Sequence, residues 1–258
     1  MAHYARFMLN DTPYPMLGRL IDADHAEIMQ TGYLSQPLPT GNVVSLSSVA
    51  QWLAPCTPTK IVAVGLNYKD HAKEFNSPIP EEPLLFGKAV SSLNWHGGTI
   101  VRPSECTRLD YEAELAVVIG HRASRVCEAD ALNYVAGYTC ANDVTARDLQ
   151  KKDGQFHRAK SFDTFCPVGP FLVTDADPSD LAVESRLNGK VMQHSRTSQL
   201  IFPVPRLVSY ISHIMTLLPG DLILTGTPGG IAPMKAGDVI EVEIEGLGIL
   251  KNTITDRA

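Results

Sequence analysis

The sequence predicts an α+β fold made mostly of strands. Three observations carry that expectation. Short apolar runs bounded by turn residues outnumber segments with helical periodicity. The two kinds of segment do not alternate regularly, which argues against doubly wound and barrel α/β architectures. Near the C-terminus, Val239-Ile-Glu-Val-Glu-Ile-Glu245 alternates apolar and acidic residues with period 2, as a strand with one wet face does.

The elements follow in order. Residues 1–58 read as a small strand-rich N-terminal extension. No Asp, Glu, Lys or Arg occurs between Glu27 and Lys60, and residues 36–41 and 55–58 have the composition of turns and linkers. The main body, residues 59–258, opens with a short buried strand over 60–65. A helix over 67–75 follows, with Tyr68, Ala72 and Phe75 at i, i+4 and i+7. Apolar runs at 83–87, 114–119 and 135–140 read as strands, with a short helix at 128–134. A strand over 181–187 runs into Asn188-Gly189, a strong two-residue hairpin signal. Residues 206–217 place Leu207, Tyr210, Ile211 and Ile214 at helical spacing. Strands at 221–225 and 239–245, and a final one after Gly246, complete the set.

With 258 residues there is ample chain to bury a core without staples. Lys and Arg total 22 against 28 Asp and Glu, a formal charge of −6. That balance argues against a nucleic-acid or anionic-membrane partner, since both attract a basic face. No apolar stretch reaches the ~18 residues of a membrane span, and the N-terminus lacks the basic-then-apolar layout of a signal peptide. Cys56, Cys106, Cys127, Cys140 and Cys166 form an odd set without a C-x-x-C. Reduced, buried thiols in a cytoplasmic protein are expected, ahead of a disulfide framework or a zinc site.

Five constellations carry chemistry. In Asp110-Tyr-Glu112-Ala-Glu114, two carboxylates project from one face of a strand start, with Cα atoms about 6.5–7 Å apart. Such a pair repels unless a cation or proton intervenes, and hard divalent cations take oxygen ligands; the plainer alternative is a solvated strand end. Asp143, after a strand and before a helical turn, suits a functional carboxylate, or equally an N-cap. His71 and Glu74 lie at i and i+3 on the first helix, where a carboxylate raises the basicity of an imidazole; a solvent-facing pair is the alternative. The Pro-rich segment after them, 76–83, has the composition of a lid hinge. Lys160 is an oxyanion-stabilising or Schiff-base lysine if buried, and ordinary surface if not. Gly226-Thr227-Pro228, after a strand, offers backbone N–H groups and a hydroxyl to an anion, or is simply a turn. G-x-S-x-G, H-E-x-x-H, G-x-x-x-x-G-K-[ST] and G-x-G-x-x-G are all absent from the sequence.

Together these segments resemble the fumarylacetoacetate hydrolase (FAH) superfamily. The resemblance runs from about Lys60 to Asn252. It rests on Val64-Gly-Leu-Asn-Tyr-Lys-Asp-His71, Tyr111-Glu-Ala-Glu-Leu-Ala-Val-Val-Ile-Gly120, Asn142-Asp-Val-Thr-Ala-Arg-Asp148, Ala159-Lys-Ser-Phe-Asp163 and Pro219-Gly-Asp with Thr225-Gly-Thr-Pro228. Order and spacing suit the smaller bacterial members and acylpyruvases. The resemblance implies an FAH-type mixed β-roll catalytic domain, a homodimer and a cytoplasmic enzyme of the kind found in aromatic catabolism. It implies a Mg²⁺ or Mn²⁺ site made by Glu112, Glu114 and Asp143. It assigns Lys160 as the active-site lysine, His71 and Glu74 as a dyad on a lid helix, and Gly226 and Thr227 to the substrate, with the Thr227 hydroxyl on its carboxylate.

The small-molecule substrate is then expected to be a 2-oxo or 2-hydroxy acid, reacting through a metal-stabilised enolate. The leading expectation is hydrolysis of a C–C bond in an acylpyruvate or fumarylpyruvate, because the His71–Glu74 pair suits water activation. Isomerisation of 2-hydroxyhepta-2,4-diene-1,7-dioate and decarboxylation of oxaloacetate are the alternatives. A second basic residue for a distal carboxylate favours the isomerase, and Arg147, Lys151, Lys152 and Arg158 are the candidates. A non-catalytic metal- or ligand-binding protein is the alternative of a different class.

Overall fold

The computed structural model describes residues 1–258 except 11, 33, 35–36, 75–77 and 258, and gives only the backbone of 71, 72 and 74. The N-terminal part supplies β1 (Ala2–Leu9), β2 (Met16–Leu20), β3 (His25–Met29), β4 (Pro39–Ser45) and β5 (Val49–Leu53). The main body begins with β6 (Ile61–Gly65), helix α1 (Lys69–Glu74), β7 (Leu84–Lys88), β8 (Leu93–Trp95), β9 (Thr99–Arg102) and the two-residue β10 (Leu109–Asp110). Next come β11 (Ala113–Ile119), β12 (Val135–Asn142), β13 (Thr145–Ala146), α2 (Arg147–Asp153), α3 (His157–Lys160) and β14 (Cys166–Thr174). The chain ends with β15 (Ala182–Leu187), β16 (Lys190–Arg196), α4 (Val204–Ile214), β17 (Leu222–Leu224), β18 (Pro233–Met234), β19 (Val239–Ile244) and β20 (Gly248–Asp256). The fold is α+β and mostly strand.

One 12-stranded sheet runs in the order β4-β3-β2-β1-β14-β12-β11-β17-β6-β7, with β5 on β1 and β8 on β14. The strands of residues 1–58 thus continue the sheet of the main body, joined through antiparallel β1 and β14. A second sheet runs β16-β15-β19-β20-β9, and β13-β10-β18 form a small third one. Among the described residues no helix is long and apolar enough to cross a membrane.

β11 shows why the sheet is buried on both faces. All of its residues are enclosed. Leu115, Val117 and Ile119 point to a core shared with Val183 and Val242 of the second sheet and with Leu207, Val208 and Ile211 of α4. Ala116 and Val118 point to the opposite core, with Ala63, Leu224 and Tyr4. Each fully buried aliphatic side chain contributes about 1.5–3 kcal/mol. The face of Ala116 also carries Glu114, because side chains alternate along the strand.

Several boundaries differ from the sequence expectation for identifiable reasons. Helix α4 starts at Val204 because Pro205 falls in the first turn, where the missing N–H has no intrahelical partner anyway. α1 starts late because Asn67 and Tyr68 are held elsewhere: the Asn67 amide donates to Thr225 and Phe202, and Tyr68 bridges to Leu200. Residues 128–134 form a 3-10 helix. The hairpin at Asn188-Gly189 is present, both residues in the left-handed region at φ 52° and 79°.

All five cysteines are free. Burial pushes the thiols of Cys106, Cys140 and Cys166 up to about 12, so they are not nucleophiles near neutral pH. Cys127 corrects the expectation of uniformly buried thiols. It is exposed and donates to Asp130 at 2.9 Å, because the 3-10 turn it introduces runs along the surface.

Candidate active site

Antiparallel pairing of β11 with β12 builds the centre of the site. Ala113 lies opposite Asn142, so the register sets Glu112 opposite Asp143, and the Asp143 N–H donates to the Glu112 carbonyl at 2.9 Å. The Asn142 side-chain oxygen accepts the Glu112 N–H at 2.9 Å. β17, on the other side of β11, ends where the Thr225 N–H donates to the Leu115 carbonyl. The next residue, Gly226, then donates its N–H to Glu114 at 2.7 Å. Gly226 has φ +101°, and a Cβ there would stand 2.8 Å from the Asn67 Cβ and 3.2 Å from the Val64 carbonyl. Only glycine fits that turn without movement.

Glu112, Glu114 and Asp143 are all buried, each offering an oxygen within 4.8 Å of the others. The cations around them come from three elements. Lys160, at the end of α3, donates to Glu112 at 2.8 Å and to Asp143 at 2.6 Å. Lys88, at the end of β7, donates to the second Asp143 oxygen at 2.5 Å. Arg147, at the start of α2, donates to Glu112 and, through Nε, to Asp110 at 2.9 Å. The β10–β13 ladder sets Asp110 opposite Thr145, which places that carboxylate beside Arg147; Arg108 donates to its other oxygen at 2.9 Å.

These partners divide the carboxyl groups. Burial raises the pKa of Glu112, but the charges and hydrogen bonds of Lys160 and Arg147 outweigh it and hold the group down at about 2. Burial also raises Glu114, and there the Asp143 and Glu112 charges add to the effect, so its carboxyl lies well above the ordinary range. Burial lowers Lys160, but Asp143 and Glu112 outweigh it and keep the ammonium charged.

The donor set fits a hard divalent cation. It is all oxygen, it converges, and the raised Glu114 marks a place short of positive charge. A carboxylate oxygen has more than one lone pair, so the ammonium bonds leave ligating capacity.

The triad opens into a cleft of about 280 Å³. Its apolar wall is Val64, Leu66, Phe86, Phe156 and Ile231. Phe86 and Phe156 pack edge to face, and the Lys160 ammonium lies 5.3 Å from the centre of the Phe86 ring. Beside α2 the lining turns polar, with Arg108, Arg147, Gln150 and Lys151.

Six of the sequence-predicted site residues come together here: Glu112, Glu114, Asp143, Lys160, Gly226 and Thr227. Asp143 is not a helix cap, since α2 starts four residues later behind Ala146, which makes no side-chain cap bond. Gly226 spends its N–H on Glu114, whereas Thr227 lines the cleft. His71 and Glu74 lie on α1, and their side chains are outside the described residues, as are residues 75–77 of the lid segment. Of the four basic candidates, Arg147 and Lys151 line the cleft. Arg158 instead pairs with Asp153 at 2.5 Å on the surface.

Lys88, Asp110 and Gln193 were not singled out from the sequence. Lys88 and Gln193 reach the site from elements distant in the chain, and no local pattern marks them. Asp110 stood in the acidic motif itself and was legible as a third carboxylate.

Comparison with known proteins gives the family. The fumarylacetoacetate (FAA) hydrolase C-terminal family profile matches residues 60–255. A mitochondrial oxaloacetate tautomerase of Bos taurus is 45% identical over 220 residues, covering 80% of this chain and 70% of that protein. Two solved structures superpose over 100% of both chains. The 2-hydroxyhepta-2,4-diene-1,7-dioate isomerase of Mycobacterium marinum has a TM-score of 0.92 at 39% identity. The fumarylacetoacetate hydrolase of Exiguobacterium antarcticum has 0.89 at 36%. The matched segment contains every residue of the cleft, and the chain therefore belongs to the fumarylacetoacetate hydrolase family of enzymes.

Proposed function

We propose that the protein is a Mg²⁺- or Mn²⁺-dependent enzyme that moves a proton next to the 2-oxo group of a small dicarboxylic acid, by keto–enol or double-bond isomerisation. The charge pattern carries this reading. Asp110, Glu112, Glu114 and Asp143 are formally balanced by Arg108, Arg147, Lys88 and Lys160. A divalent cation adds two positive charges, which a dianionic substrate cancels. Lys151, which lines the cleft beside α2 and stands outside that balance, suits its second carboxylate. The named isomerase and tautomerase relatives support the same class.

Glu112, Glu114 and Asp143 would hold the divalent cation, which would supply Lewis acidity to the reacting 2-oxo acid. Lys160 keeps a fixed ammonium where negative charge develops on the substrate oxygen, and Phe86 shields that charge from water. His71, with Glu74 three residues on along α1, is assigned the proton transfer at carbon.

A second reading is hydrolysis of the C3–C4 bond of an acylpyruvate, with the same dyad activating water. The i, i+3 placement of His71 and Glu74 on α1 favours it. The family resemblance also implies a homodimer, which light scattering tests directly.

The deciding experiment is a Mg²⁺-supplemented assay of enol oxaloacetate, 2-hydroxyhepta-2,4-diene-1,7-dioate and an acylpyruvate, with product identification. Isomerisation of a dicarboxylate is expected, abolished by EDTA. Lys151→Met should raise its KM about tenfold, the value of one charge-assisted hydrogen bond. Cleavage of the acylpyruvate without isomerisation puts the second reading first. No turnover of any of the three overturns both.

A further inference from the structure

Gln193 lies on β16, in the second sheet, and is fully buried. All four hydrogen-bonding positions of its amide are used. The Oε1 atom accepts the Ala113 N–H and the Ser185 hydroxyl, both at 3.0 Å. The Nε2 atom donates to the Pro228 carbonyl and to the Thr227 hydroxyl oxygen, both at 2.8 Å. Ala113 sits between Glu112 and Glu114, so this one side chain ties the second sheet to the strand that carries Glu114 and to the Thr227 turn.

The orientation of the amide follows from its partners. A backbone N–H can only donate, so the atom facing Ala113 is the oxygen. A proline carbonyl can only accept, so the atom facing Pro228 is the nitrogen. Thr227 therefore accepts a hydrogen from Gln193 and must give its own elsewhere. In the structure it gives it to the Ala113 carbonyl at 2.9 Å. Thr227 also lines the cleft. An anion entering there meets a hydroxyl whose hydrogen can swing from Ala113 to the ligand while the Gln193 bond stays in place.

We infer that Gln193 is a positioning residue that fixes the polarity of the Thr227 hydroxyl, keeping it a donor toward a carboxylate in the cleft. This rests on the proposed 2-oxo acid chemistry for the identity of the ligand.

Gln193→Glu tests it at nearly constant shape. The introduced carboxylate can still accept from Ala113 and Ser185. Its second oxygen has no hydrogen to give, so it moves off the Pro228 carbonyl and accepts the Thr227 hydrogen, which reverses the hydroxyl. The measurements are KM and kcat for enol oxaloacetate and the affinity for Mn²⁺ alone by calorimetry, for Gln193→Glu, Thr227→Val and the double variant. Each single variant is expected to raise KM about tenfold or more, the value of a hydrogen bond to a charged group. The kcat and the Mn²⁺ affinity should stay near wild type, and the double variant should be no worse than either single one.

An unchanged KM in Gln193→Glu overturns the inference. So does a double variant whose KM rise is the product of the two, or a loss of Mn²⁺ affinity that tracks KM, because either result makes the role merely structural. If thermal melts show Gln193→Glu unfolded, Gln193→Met takes its place: it frees the hydroxyl rather than reversing it, so a smaller KM rise that vanishes in the Thr227→Val background is expected, and an unchanged KM again overturns the inference. Failure of the functional reading looks different: the wild type turns over no 2-oxo acid. The cycle is then read in the affinity of the Mn²⁺-loaded protein for pyruvate, and absence of non-additivity there also overturns the inference.

Discussion

Two buried carboxylate sites lie at opposite ends of β17, and the protein treats them in opposite ways. Asp221, just before the strand, receives five donors. The Thr59 N–H and hydroxyl and the Lys60 N–H reach one oxygen, at 2.9, 2.7 and 3.0 Å. The Lys60 ammonium and the Leu218 N–H reach the other, at 2.6 and 2.7 Å. Burial raises its pKa, but Lys60 and these other donors outweigh it, and the carboxyl lies below its ordinary value. Glu114, beyond the other end, receives the Gly226 N–H among the described residues, faces two further carboxylates, and is raised. The contrast separates structure from function. A carboxylate completed by its own chain locks a fold, here the entry to β6 and the turn before β17. A carboxylate left short of positive charge has room for an outside partner.

The sharpest way to break the comparison is at Glu114. Glu114→Gln is expected to lower kcat/KM by about three orders of magnitude, since the cation's charge stabilisation is worth several kcal/mol. The same change removes a repelled buried charge, so the melting temperature in EDTA should stay level or rise. Added Mn²⁺ should stabilise the wild type, by about 2.7 kcal/mol at a hundred times its Kd, and leave the variant unmoved. A melting point that falls in EDTA would place Glu114 with Asp221 as a structural group.

Asp221→Asn is expected to do the reverse. It removes an ion pair to Lys60 and turns a donor toward the Lys60 or Leu218 donors, for a loss of about 2–4 kcal/mol in urea unfolding. Mn²⁺ affinity by calorimetry should not change.

The smallest effect is on pH. The folded pKa of Asp221 lies below its unfolded value of about 3.9. On acidification the unfolded chain therefore takes up this proton first. Its stabilisation is whole above that value and is lost as pH falls through the folded pKa. Melting curves of the wild type should fall more steeply below about pH 4 than those of Asp221→Asn. Parallel acid limbs would remove Asp221 from that account.

The fold class and the acidic centre were legible because their signals are local. Glu112 and Glu114 alternate along one strand, and Asn188-Gly189 names its own turn. The β14 strand is absent from the expected set: Pro167, Gly169 and Pro170 interrupt its apolar run, although it pairs with both β1 and β12. The Asp143 side chain was legible as a candidate but not its partners, because the register that brings Lys88 and Lys160 onto it is a tertiary property. Gln193 was out of reach for the same reason: Ala113, Ser185, Thr227 and Pro228 meet only once two sheets have packed. The place of residues 1–58 also follows from long-range pairing, since nothing in β1 itself names β14 as its neighbour.

The strand order of the large sheet has a practical consequence. The cleft is built by strands at one end of the order, whereas β2, β3 and β4 extend the other end, where most of β4 is exposed as an outer edge. A label, tether or fused domain attached near β4 is therefore held a sheet's width from the chemistry. Truncating residues 1–58 is a different operation, because it strips β1 from β14 and removes Tyr4, Ala54 and Cys56 from the apolar layer behind Ala116 and Val118. Immobilisation should respect that asymmetry: add to the far edge, and leave β1 in place.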